Sequence, residues 1–179
     1  MMFALWQSAE FTGRGLDPHP HWDSVFFWGF VATVAMTSLL TIGQSLRLTR
    51  MSLPLLLGTF VTGDWDRALV YGSGLHFAIG WVFAVLYAVT FETWGRVAWW
   101  LGALVGLVHG TFVLAVLMPL LPSMHPRIAS EHGAPDSPAM LEPPGFLALN
   151  YGPRTPLITL AAHLVYGAVL GMFYRLRVG

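Results

Sequence analysis

Three histidines stand alone in long uncharged runs: His76 within residues 68–91, His109 within residues 97–121 and His163 within residues 156–174. An ionisable side chain is costly inside a bilayer, so one found there is a candidate for function. Three imidazoles around an open coordination position would suit a zinc-like or copper-like transition metal. A haem held by two histidines is the weaker fit, since His76 and His163 match in depth but nothing in their spacing requires a porphyrin. The same residues also suit a plainer use, in which each neutral ring donates one hydrogen bond across a helix interface. At the level of sequence both uses stay open.

Other chemistries find less support. The chain has no cysteine, which excludes disulfides, thiolate metal sites and cysteine nucleophiles. Ser24, Ser38, Ser45, Ser52 and Ser73 lie in no nucleophile-elbow pattern. The glycines recur at intervals of four and do not cluster on a turn, as a phosphate-binding loop would need. No carboxylate or arginine interrupts the apolar runs, which disfavours a transporter acting alone. Pro18, His19, Pro20, His21, Trp22 and Asp23 could ligate a metal, but a solvated turn is the simpler reading. A membrane enzyme using the same histidine pocket is the weakest of the readings.

The elements that must position these histidines follow from composition. Hydrophobic residues make up 55% of the 179 and charged residues 10%, where a soluble domain carries about 25% charged residues. All nine basic residues are arginine and they balance nine acidic ones, so there is no basic field of the kind nucleic acid requires. The expectation is an all-α, integral membrane four-helix bundle, with spans at about residues 24–46, 68–91, 97–121 and 156–174. Each is long enough at 1.5 Å per residue to approach or exceed a hydrocarbon core of about 30 Å. Residues 1–23 mix Phe3, Trp6, Phe11 and Trp22 with Glu10, Arg14, Asp17 and Asp23, and form an expected interfacial N-terminal extension to a membrane domain over residues 24–177. No basic segment or cleavage site precedes the first span, which is expected to serve as its own insertion signal.

Between the spans, residues 51–62 are apolar but too short to cross and are broken by Pro54 and Gly58, as in an interfacial or re-entrant half-helix. Asp64 or Asp66 is placed to cap the second span. The short link at residues 92–96 suggests that the second and third spans are antiparallel neighbours. Pro119 and Pro122 are expected to end the third span. Residues 123–155 form a Pro-rich loop carrying His125, Arg127, Glu131, His132, Asp136 and Glu142.

Small residues at every fourth position form ridges on all four spans. Gly102, Gly106 and Gly110 mark the third, Gly167 and Gly171 the fourth, Gly72 and Gly80 the second, and Gly29, Thr33 and Thr37 the first. The glycines of the second, third and fourth spans together suggest one seam joining three helices within the chain. His76 and His163 lie about eight and seven residues inside their spans, roughly 10 to 12 Å below one surface, with His109 deeper.

Certain stretches carry a resemblance. These are Leu57-Gly58-Thr59-Phe60, the run from His76 to Ala88, the Gly102 to Gly110 ridge, Met118-Pro119-Leu120, His125-Pro126-Arg127, the run from Gly145 to Gly152, and His163-Leu164-Val165-Tyr166-Gly167. Over about residues 47–174 the chain resembles a family of short four-helix bacterial inner-membrane proteins of unknown function. The resemblance implies four helices and a bacterial origin and brings no catalytic residue with it.

Orientation rests on a small arginine bias. Arg96, Arg175 and Arg177 weigh against Arg47 and Arg50, which favours cytoplasmic termini. The functional expectation is a non-enzymatic accessory subunit of a larger bacterial membrane complex, respiratory or photosynthetic, in contact with lipid and with other membrane subunits. The alternative is a metal-binding or haem-binding membrane protein using His76, His109 and His163.

Overall fold

The structure, a computed structural model, describes residues 20–129 and 141–176. The expected extension therefore lies outside the described residues as far as residue 19, as do Glu131, His132 and Asp136 of the Pro-rich loop. The described residues are helical apart from connections and a single bridge between Ile128 and Leu141. The helices are α1 (Trp22–Ser45), α2 (Leu53–Gly58), α3 (Trp65–Trp94), α4 (Trp99–Phe112), α5 (Met118–Met124) and α6 (Thr155–Phe173). Four stretches are long and apolar enough to cross a membrane: α1, α3, the continuous helix Trp99–Met124, and α6.

Local chemistry sets the boundaries. The Asp64 side chain accepts the Arg67 backbone N–H at 2.9 Å and starts α3, and Gly95 at φ 59° ends it. α1 ends in a Schellman turn, with the Leu48 N–H reaching the Gly43 carbonyl and the Arg47 N–H reaching Gln44. Unusually, Arg47 and not glycine takes the left-handed position there, at φ 57°. The expected stop at Pro119 and Pro122 does not occur, and the helix continues to Met124. Proline removes an N–H donor and crowds the carbonyl four residues before it. The helix takes up this conflict by widening into a π turn over Val113–Leu117, with the Met118 N–H bonded five residues back to Val113.

α6 is the hub of the packing. α4 lies along one side of it and α1 along the other; α1 packs in turn on α3, and α2 lies on α3. The expected single seam through three helices is instead three separate contacts. At Gly102 and Gly167 an added Cβ would stand 2.0 Å from the other residue's carbonyl oxygen, so α4 and α6 meet backbone to backbone. Gly72 of α3 faces the Pro54 carbonyl of α2, and Gly80 faces Thr33 of α1.

α3 and α4 are neighbours through their side chains, but their backbones do not pack closely. The link holds their ends together, but Phe83 and Tyr87 occupy the α3 face toward His109 and keep the helices a side chain apart. Beyond α5, residues 141–152 fold back as a cap on the helices. Its 3₁₀ turn, Phe146–Tyr151, places Leu147 and Ala148 in left-handed conformations at φ 54° and 56°. Ala148 is fully buried there, and the Tyr151 hydroxyl donates to the Glu142 carbonyl at 2.6 Å.

Candidate functional site

The gap between α3 and α4 is a cavity of about 290 Å³. His76 of α3, His109 of α4 and His163 of α6 all line it, so the three histidines of the apolar runs face one space. His76 and His163 are buried well inside α3 and α6, and His109 lies near the middle of the continuous helix Trp99–Met124. α2 and the turn after it close the cavity with Leu56 and Phe60, α1 with Thr33 and Met36. None of the lining residues is Asp, Glu or Arg. Of the lining residues, Phe60, Ile79 and Leu117 are also exposed, so the cavity reaches an apolar part of the surface.

Within the cavity each histidine has a different setting. His163 Nδ1 lies 2.7 Å from the Thr159 carbonyl, which can only accept, so Nδ1 carries the proton and Nε2 is left as an acceptor. His109 Nδ1 lies 3.3 Å from the Tyr87 hydroxyl, and its ring stacks on Phe83 at 3.8 Å between centroids. The rings of His109 and His163 meet edge to face at 4.7 Å. His76 joins the cavity from the opposite helix, and its Nε2 is buried without a hydrogen-bond partner among the described residues. The Thr159 hydroxyl is in the same state. Among the described residues, no three His, Asp or Glu side chains gather in the geometry of a metal site.

Thr159 was not singled out in the sequence, although a Thr four residues before His163 lies on the same helix face and was there to be found. The role of Tyr166 was missed too: its hydroxyl donates to the Gly80 carbonyl at 2.6 Å and ties α6 to α3 beside the cavity. Glu92, read as part of a turn, is buried and accepts the Tyr174 hydroxyl at 2.8 Å.

A further histidine, His125, lies outside the spans. The Arg127 backbone N–H donates to His125 Nδ1 at 3.0 Å, so the proton sits on Nε2, which donates to the Leu56 carbonyl at 3.0 Å. The Arg127 guanidinium donates to the Thr59 carbonyl at 2.7 Å. Together they hold the C-terminal end of α2, where unpaired carbonyls attract donors and positive charge. Burial lowers the His125 pKa more than the bond to Leu56 raises it, and the Arg127 charge lowers it further. His125 is thus a neutral clamp between α2 and the chain beyond α5.

Comparison of the chain with family models, with curated proteins and with solved structures finds no match.

Proposed function

We propose that this chain is a multi-pass membrane protein that binds a lipid-soluble small molecule in the cavity between α3 and α4. The observation that carries this reading is the cavity itself: its wall is almost wholly apolar, it reaches an apolar part of the surface, and it contains buried polar atoms that nothing among the described residues satisfies. Apolar pockets with a few convergent polar groups are the usual form of small-molecule sites. Purification in native nanodiscs followed by solvent extraction and mass spectrometry tests it. A stoichiometric lipid-soluble molecule is expected, and protein that neither carries nor takes up one would overturn the reading. Elemental analysis and an absorption spectrum of the same sample address the metal or haem alternative at His76, His109 and His163.

A second reading, that the chain is a non-enzymatic subunit of a larger membrane complex, draws on α4. Among the spans, its helix has the highest mean hydropathy, 2.2, and the least surface buried within the chain, and among the long helices only α6 packs closely against its backbone. Trp99, Leu104, Val108 and Phe112 therefore face outward, toward lipid or a neighbouring subunit. Isolation of an active monomer without a partner would refute this reading.

In the same proposal the helices form a four-helix bundle in a bacterial cytoplasmic membrane, with α2 as a re-entrant or interfacial half-helix and both termini cytoplasmic. The arginines at 96, 175 and 177 support that orientation. Because the chain has no native cysteine, single introduced cysteines report sidedness without background. A cysteine at Asp66 that labels only from the cytoplasm would reverse it.

A further inference from the structure

Two observations define the head of a molecule in this cavity, if the binding reading above is taken as the starting point. The first concerns Thr159. Threonines in these helices regularly donate their hydroxyl to the carbonyl four residues back, as Thr33 does to Gly29, Thr37 to Thr33, Thr90 to Leu86 and Thr111 to Leu107. Thr159 does not, although it is 2% exposed and its own carbonyl is engaged by His163. His76, 5% exposed, likewise leaves Nε2 unsatisfied. Buried polar atoms without partners are uncommon because they forfeit their bonds to water.

The second observation is the absence of a formal charge along the lining. A carboxylate, phosphate or ammonium head would be buried without a counter-ion, which is strongly unfavourable in an apolar site. A carbonyl or hydroxyl head needs no counter-ion. It can accept from the Thr159 hydroxyl, and His76 Nε2 can donate or accept according to its tautomer. His163 Nε2, an acceptor by its bond to Thr159, stands nearby for a head that carries a proton.

We propose that the cavity takes an uncharged, lipid-soluble molecule whose carbonyl or hydroxyl head hydrogen-bonds to Thr159 Oγ1 and His76 Nε2, with its apolar body along the α3–α4 gap. This selects against charged lipids and fatty carboxylates even though they share the same apolar chains.

The test uses the full chain in nanodiscs and three probes with the same chain: dodecane, 1-dodecanol, and dodecanoate kept ionised at pH 9, with bound probe counted by native mass spectrometry. The alcohol is expected to bind about tenfold or more tightly than the alkane, the sum of two modest hydrogen bonds, and the carboxylate no better than the alkane. In a Thr159→Val, His76→Phe variant the alcohol should fall to the level of the alkane, and Thr159→Ser should restore most of the difference on a wild-type His76 background. If the double variant fails to fold, Thr159→Val against Thr159→Ser carries the same comparison. Equal binding of alcohol and alkane to the wild type, or carboxylate binding as tight as the alcohol's, overturns the assignment of the head while the cavity still binds. Binding of none of the three overturns the binding reading itself.

Discussion

The two sides of α4 show opposite solutions to helix contact. Against α6, glycines bring backbones so close that no side chain fits between them: a Cβ at Gly106 would stand 2.2 Å from the His163 carbonyl oxygen. Against α3, its neighbour in the chain, Phe83 and Tyr87 keep a gap that is closed only by rings and left hollow elsewhere. The first side gains dispersion and buried backbone contact over its whole length, which is what holds helices together where lipid is as apolar as leucine. The second gives up that contact and gains a space. A tight seam on one side of a helix is what allows a loose one on the other.

The sharpest way to break this contrast is to spoil the tight side. Gly167→Leu drives a side chain into the Gly102 carbonyl and the Gly106 amide. Neither partner is a flexible side-chain end, so α4 must move. The expected loss is about 4 kcal/mol or more, against a total stability of about 5–15 kcal/mol. Size-exclusion profiles and thermal midpoints in a mild detergent should show mostly misfolded protein. A well-folded Gly167→Leu variant would mean that the α4–α6 contact is not what fixes the fold.

How much of this could be read from the residues varies with the kind of force involved. The helices follow from apolar length, and the start of α3 follows from Asp64, since both are local properties of the chain. The ridges at Gly102 and Gly167 were also visible, but a ridge does not name its partner. Gly72 and Gly102 look alike in sequence, and one meets α2 while the other meets α6. Proline at 119 looked like a stop because the rule assumes α geometry; a π turn upstream let the helix continue. The convergence of His76, His109 and His163 is suggested by depth, whereas the unpartnered state of the Thr159 hydroxyl is a property of the fold and not of its place in the sequence. The clamp of His125 and Arg127 depends on carbonyls 69 and 68 residues earlier in the chain, which no local pattern encodes.

A smaller perturbation of the same kind tests α2. At Gly72 an added Cβ would lie 1.7 Å from the Pro54 carbonyl oxygen. Gly72→Ala should therefore displace α2 at a cost of about 1–3 kcal/mol, as overpacking does. Because α2 supplies Leu53, Leu56 and Leu57 to the cavity wall, probe binding should weaken with it. A fall in the thermal midpoint with unchanged binding would separate α2 from the cavity.

The clamp adds a pH dependence of still smaller size. His125 is held neutral in the fold, with a pKa below the ordinary 6.5. The unfolded chain therefore takes up its proton first as pH falls, and the folded state loses stability below about pH 6.5 until the folded pKa is reached. Above that range the clamp contributes in full. Protonation would also put a hydrogen on Nδ1, where the Arg127 N–H already points. His125→Gln removes the titration, so the difference in thermal midpoint between wild type and variant should narrow from pH 7.5 to pH 5. A constant difference would show that His125 does not titrate differently in the folded and unfolded chain.

The smallest effect gives the cleanest contrast, because it lies two residues from Gly72 on the same helix. Gly74 is exposed, and an added Cβ there would meet no atom within 4 Å. With no contact to lose, only the backbone term remains, and alanine in a helix interior is favoured over glycine by about 0.5–1 kcal/mol. Gly74→Ala should therefore raise the thermal midpoint slightly and leave probe binding unchanged, while Gly72→Ala does the reverse. If both substitutions destabilise alike, the glycines of α3 act through backbone flexibility and not through the close approach of α2, and the division of this molecule into tight and open seams loses its support on that helix.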